Sequence, residues 1–468
     1  MKSLEAARLW LIVSFLIVIV VQPALASGET APATAQEQAA EPSAGSLLPA
    51  VSGNLFYFNR HRERYDVGDR RFRDNLHHQT LQGSVDISTP FYADTVGFEL
   101  GLFSTTDLVN KASPDHEMSF FPWDNPWSPD WSKRDAKSGT SLYRAHLKLR
   151  QGAGDRQFWG KAGYFQPSGP GVLGVNWSLM PGTYRGLETG LDSGPFSIAF
   201  AWADQYKSPW FSDFYHFRKN DGQTRVDYLW SLGARVRFTP GFSAEIAYGE
   251  SQDFLQSAHL KLKYTSKDEK TALSYQLYGM GERDESDSPN NQYRGRVAHQ
   301  HYLAAAWRPA SWVLRAEFLH TRAPSSQPQH AGFFAYRPVG RYGGANGAYE
   351  PWWDNRSDWN HNRERAVFLG VSRSLDDLLG VPGFTAGLSG AYGWGGRVYG
   401  AEERLRESAW SADFAYAVPG GPLKNASISL HYTRYNNRTQ QPSWTGYYKN
   451  LFQDERDLKI LLVVPWQL

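Results

Sequence analysis

The sequence predicts an all-β fold, a transmembrane antiparallel β-barrel of about 18 strands with short turns on one side and long loops on the other. Three observations predict it. Apolar and polar residues alternate with period two in segment after segment, the pattern of strands with two unlike faces. The segments are joined alternately by short Gly/Pro/Asp turns and by longer links. Aromatic residues, 15% of the chain, recur at the ends of the apolar stripes, where a ring with an apolar body and a polar tip suits a membrane–water boundary.

The first segment differs from the rest. Lys2 and Arg8 precede a short apolar run over 9–21, and small residues at 24–26 precede Ser27. This is the order of a secretory signal peptide, residues 1–26. An anchor helix is the alternative, but the run is shorter than the ~20 residues that a helical span needs. Residues 27–50 are rich in Ala, Pro, Glu and Ser and read as a disordered periplasmic tether, or else as a short helix. Residues 51–468 form the barrel domain.

A first strand is expected near 54–60. Next, Leu81, Val85 and Ile87 share a face, as do Val96, Phe98, Leu100 and Leu102. Hairpins follow with stripes at 145–149 and 158–164, 187–191 and 196–202, 228–238 and 242–248, and 258–264 and 273–277. Further ones lie at 303–307 and 312–318, 367–371 and 384–392, and 410–416 and 426–432. The chain ends on Leu458, Ile460, Leu462, Val464, Trp466 and Leu468, all on one face. Pro465 in that strand lacks a donor and is tolerable only near a strand end. The longest links are expected over 104–140 and 321–363.

Period two alone does not distinguish a soluble sandwich, apolar side inward, from a membrane barrel with the sense reversed. The barrel is favoured by aromatics at stripe ends (Phe196 and Trp202, Tyr228 and Phe238, Trp312 and Phe318) and by hairpin succession with no covering layer. The last strand can pair with the first, and closure is needed because an unpaired edge in hydrocarbon costs several kcal/mol per group.

Composition excludes several classes. The mean hydropathy of −0.53 is too low for a helical membrane bundle. With 49 Lys+Arg against 47 Asp+Glu, no nucleic-acid partner is indicated. There is no Cys, hence no disulfide framework or thiolate site. The spacings of His77 with His78 and His299 with His301 are not those of a zinc-binding helix, and no carboxylate pair stands out as a glycosidase centre. No metal, cofactor or enzyme activity is expected.

The polar face carries the candidate site. Arg144, His146, Lys148 and Arg150 alternate on one strand, Arg235 and Arg237 on another, and His259, Lys261 and Lys263 on a third. They would form a basic ladder along a lumen, attracting carboxylates, or be neutralised by inward Asp86, Glu99, Glu188, Glu245, Glu317 and Asp413. The long links hold Trp123, Trp127 and Trp131, then Trp210, then Trp352, Trp353 and Trp359 interleaved with Asp354, Asn355, Arg356 and Asp358. Indole beside hydrogen-bonding groups suits sugar rings; the alternative is that these rings pack the loops into the barrel.

Several stretches resemble a known family: KAGYFQPSG (161–169), NWSLMPGTYRG (176–186), RVDYLWSLGAR (225–235), EPWWDNRSDWN (350–360), RAVFLGV (365–371) and NLFQDERDLKILLVVPW (450–466). They are similar to the chitoporins of enteric bacteria, within the outer-membrane porin D superfamily. The resemblance covers most of the chain after the tether. It implies an 18-stranded, monomeric, substrate-selective channel in the Gram-negative outer membrane, in contact with lipid and lipopolysaccharide. It implies passive uptake of chitooligosaccharides. Relatives in the wider superfamily pass carboxylate-bearing solutes along an inward basic ladder, which here would fall on Arg144, Lys148, Arg150, Arg235 and Lys261; such a carboxylate channel is the alternative. Loops 104–140 and 321–349, the tether and the terminal Leu468 depart from the pattern.

Overall fold

The computed structural model of the chain describes residues 48–66, 68–112, 138–175, 178–283, 293, 297–324, 332–334, 336–338, 348–397, 403–439 and 453–468. The expected signal segment and the tether up to residue 47 lie outside the described residues.

The alternating segments form strands as read. In chain order they are β1 (Ala50–Asp66), β2 (Arg71–Ser88), β3 (Val96–Ala112), β4 (Gly139–Ala153), β5 (Arg156–Phe165), β6 (Thr183–Ser193) and β7 (Phe196–Lys207). A short ribbon follows, β8 (Tyr215–Arg218) and β9 (Arg225–Val226). Then come β10 (Leu229–Thr239), β11 (Phe242–Ser251), β12 (Leu255–Thr265), β13 (Thr271–Glu282), β14 (Ala298–Trp307), β15 (Trp312–Arg322) and β16 (Arg365–Ser374). The last four are β17 (Phe384–Gly396), β18 (Leu405–Ala417), β19 (Ser427–Asn437) and β20 (Glu455–Gln467). One four-residue helix, α1 (Asp376–Leu379), sits in the turn between β16 and β17.

Every ladder is antiparallel between chain neighbours, with β7 pairing β10 across the ribbon, and β1 pairs β20 from Ser52–Gln467 to Arg64–Glu455. The result is a closed barrel of 18 strands, with no lipid-facing edge to satisfy. The link between β1 and β2 is shorter than the period-two reading allowed. Both strands run on past the apolar stripes, and only 67–70 separates them. Likewise β3 continues to Ala112.

The apolar stripes face outward. Leu55, Leu147, Phe196, Ile198, Leu232, Ile246, Leu369, Leu388 and Leu462 are all exposed, the reverse of a soluble core. Outward aromatics pair near both ends: Phe238 with Phe242 and Phe384 with Tyr416 by the short turns, Trp202 with Tyr228 and Trp230 with Tyr248 towards the long loops. Pro465 opposes Asn54 of β1, but the ladder with β19 has already ended at Val463. Its missing donor therefore breaks no rung on that side. Both faces of β20 are apolar because Leu461 and Val463 point inward, against Phe56, Leu179 and Met180. Leu179 and Met180 belong to a loop, so the buried apolar side chains lie where loops enter the lumen.

Candidate functional site

Two loops turn inward and narrow the barrel. The first joins β5 to β6. Glu188 on β6 accepts the amides of Ser168 at 3.0 Å and Gly169 at 2.9 Å. Further in, the Val172 amide donates to Ser231 Oγ on β10 at 2.8 Å. The backbone reaches the wall because position 233 is glycine: a Cβ there would lie 2.4 Å from the Pro170 oxygen.

The second loop, 348–364, precedes β16. The Ala348 amide donates to Val172 O at 2.8 Å, so the two loops meet. Its side chains are tethered around the wall. Glu350 pairs with Lys261 at 2.8 Å and Lys263 at 2.7 Å on β12. Trp353 Nε1 donates to Glu317 of β15 at 2.6 Å, and Asn355 Nδ2 to Ser411 of β18 at 2.6 Å. Asp354 pairs with Lys459 of β20 at 2.6 Å and with His431 of β19 at 3.4 Å. Arg356 meets Glu455 at 2.9 Å and Asp457 at 3.4 Å. Asp358 accepts from the Tyr336 hydroxyl at 3.2 Å.

These contacts set the protonation of the loop. Burial alone would raise the Glu350 carboxyl, but Lys261 and Lys263 outweigh it and hold it well below the usual range. Burial likewise opposes ionisation of Asp354, and Lys459 with His431 reverses it, leaving that carboxyl well below its ordinary value. Asp358 goes the other way: burial raises it, against the pull of Arg337 and Tyr336.

The expected ladder residues fall in three groups. Arg144, His146 and Lys148 of β4 surround Glu99 at 3.2, 3.8 and 3.4 Å, and Lys148 also donates to Ser88. Arg235 and His259 share Glu245, next to Lys261 and Lys263 on Glu350. Arg150 and Arg237 lie by the short turns, away from the loops: Arg150 bonds Asp94 at 3.2 Å, and Arg237 is exposed.

The period-two reading missed other inward cations. Lys161 on β5 pairs with Glu188 at 3.6 Å, and Arg315 on β15 with Glu317 at 2.5 Å. Arg60, Arg62 and Arg64 alternate along β1 and meet Asp457 and Glu455 at 2.7, 3.0 and 2.6 Å. Their spacing carries the same signal as that of Arg144 and Lys148.

The aromatics divide sharply. Trp353 and Trp359 are 3% and 2% exposed and pack against each other, Phe368 and Tyr435. They hold the loop down and present no free face. Trp352 is 57% exposed. Trp210 is half-buried in the loop after β7. Trp123, Trp127 and Trp131 lie outside the described residues.

A closed barrel with an apolar exterior, a charged interior and two loops fastened across its lumen has the build of a channel, a substrate-specific porin of the Gram-negative outer membrane. The chain belongs to the OprD family of outer membrane porins, whose family model matches residues 51–456. It is 35% identical over 439 residues to Chitoporin of Escherichia coli (strain K12), covering 89% of this chain and 91% of that one. In fold it is similar to Pseudomonas aeruginosa OpdK crystallised with vanillate, at TM-score 0.69 and 15% identity over 90% of this chain and 100% of that chain. It is likewise similar to Acinetobacter baumannii OccAB1, at TM-score 0.68 and 14% identity over 92% of this chain and 100% of that chain.

Proposed function

We propose that this porin passes chitooligosaccharides passively, as a monomer surrounded by outer-membrane lipid and lipopolysaccharide. The 35% identity to Chitoporin across nearly the whole of both chains carries the reading. Two features of the lumen support it. The cations Arg144, Lys148 and Lys161 face the carboxylates of Asp86, Glu99 and Glu188, so this wall is dipolar without a net charge, which suits an uncharged, hydroxyl-rich solute. Trp352 offers an exposed apolar face for a sugar ring.

A channel for carboxylate-bearing solutes is the second reading, and one sector favours it. Along β1 and β20, Arg60, Arg62, Arg64, Arg356 and Lys459 gather around Glu455, Asp457 and Asp354. Single-channel recording in a planar bilayer separates the two. Chitohexaose is expected to block the current transiently. Trp352→Ala should shorten each block roughly five-fold, the loss of about 1 kcal/mol of ring contact. Arg144→Ala with Lys148→Ala should shift ion preference and leave sugar block nearly unchanged. Block by a small carboxylate and none by chitohexaose would establish the second reading instead.

A further inference from the structure

The loop 348–364 rejoins the wall at a tight turn. Arg363 N donates to Thr321 O at 2.8 Å, and Thr321 N to Glu364 O at 3.0 Å, so the turn adds a rung to β15. Behind it stands Glu407, near the start of β18. His361, Glu364 and Glu407 bring one ring nitrogen and two carboxylate oxygens within 4.8 Å of one another. All three are buried.

This cluster differs from the other buried carboxylates of the lumen. Glu455 and Asp457 meet guanidinium groups. Neither Glu364 nor Glu407 has a Lys or Arg partner among the described residues; the ion pair here is that of His361 with Glu364 at 3.2 Å. Glu364 is 1% exposed, and its Oε1 meets no N–H or hydroxyl donor among the described residues. Its neighbour is the Glu407 carboxyl, with which Glu364 shares a hydrogen bond only when one of the two carries a proton. Two buried carboxylates side by side repel and are poorly solvated. The space they share exists because position 393 is glycine: a Cβ there would lie 2.3 Å from Glu364 Oε1 and 3.2 Å from Glu407 Cγ.

The carboxylates are also held from behind. Tyr435 OH donates to Glu407 Oε2 at 2.7 Å and Ser357 Oγ to Oε1 at 2.9 Å. The His361 amide donates to Glu364 Oε2 at 2.9 Å. Outer hydrogen bonds of this kind orient carboxylate ligands around an ion.

We propose that His361, Glu364 and Glu407 bind one zinc-class divalent cation that fastens the end of the lumen loop to β18. One imidazole with two carboxylates suits zinc, whereas calcium and magnesium prefer oxygen alone. His361 Nδ1 and Glu364 Oε2 stand 3.2 Å apart. Two donors each about 2.0–2.1 Å from a tetrahedral ion are separated by roughly 3.3 Å. The cation neutralises the paired carboxylates and takes the place of the proton they would otherwise share. The site is independent of which solute the channel carries.

The test uses the full-length porin in detergent, stripped with a chelator and then offered zinc or cobalt. Expected results are one zinc per chain retained through desalting and a thermal midpoint several degrees above that of the stripped protein. Cobalt should give a visible ligand-field band and quench Trp359, which packs beside Gly393. Glu407→Gln and His361→Gln should each weaken binding at least 100-fold, while Asp376→Asn in the distant turn should not. If either cluster variant fails to form a barrel, zinc-edge absorption of the wild type decides, with one imidazole per ion expected. Two or more imidazoles, substoichiometric zinc, or full zinc binding by Glu407→Gln would overturn the proposal and leave two carboxyls sharing a proton.

Discussion

Asp457 has no exposed surface and receives three cations: Arg60 at 2.7 Å, Arg62 at 3.0 Å and Arg356 at 3.4 Å. Asp457→Asn keeps the shape and removes the charge that balances a buried guanidinium. Removing one partner of a buried pair costs about 3–5 kcal/mol. The lower end is expected, because Glu455 stays 3.9 Å from Arg62. Urea unfolding in lipid vesicles, against wild type, measures it; an effect under 1 kcal/mol would show that water enters the cluster. The charge partners here were half legible. Arg60, Arg62 and Arg64 alternate like the cations of β4, and the period-two rule places them inward once β1 is followed to Asp66. That β1 lies beside β20 followed from the expected closure, but which residues face each other across the seam is a matter of register, which no local pattern states.

At the scale of elements, the two inward loops set the lumen, and they were the least legible part. A strand's period says which way each side chain points, whereas a loop has no period. The tryptophans and polar residues of 352–358 fitted a sugar site equally well as a set of anchors. In the structure Asp354, Asn355 and Arg356 are occupied by the wall, and only Trp352 of its indole neighbours stays exposed. The first loop showed little chemical signal, since it is held by backbone amides on Glu188 and Ser231 and by the single Gln166 side chain on Tyr143 and Thr183. Its grip depends on Gly233, so Gly233→Ala should drive Pro170 off β10 and change single-channel conductance measurably, with overpacking costing about 1–3 kcal/mol. An unchanged conductance would mean that the loop yields without widening the lumen. The second loop should respond to acid. Glu350 and Asp354 titrate lower in the folded loop than the ordinary carboxylate value of about 4. Their stabilisation is thus complete above that value and is lost as pH falls through the lowered values. The Glu350 and Asp354 tethers should therefore release only below about pH 4, read as an acid change in conductance and current noise that Glu350→Gln with Asp354→Asn removes. An acid change below about pH 4 that persists in the double variant would contradict the tether.

For the whole molecule, the decisive property is which way the barrel faces. The outward stripes were fully legible, because alternation, short turns and stripe-end aromatics all agree. Leu388 on β17 is 59% exposed, midway along its strand and flanked by Val371 and Ala412. In a water-soluble protein, a substitution at such an exposed position changes stability by roughly 0.5 kcal/mol or less. On a lipid face, an arginine near the bilayer midplane costs about 2–4 kcal/mol. Leu388→Arg should therefore lower unfolding stability in phospholipid vesicles by about that amount. The same change at Leu423, exposed in the turn between β18 and β19, should cost little. The difference between the two sites isolates the lipid term, because both start as exposed leucines on the same chain. Equal and small effects would place Leu388 in water and remove the basis for reading this barrel as a channel across a membrane.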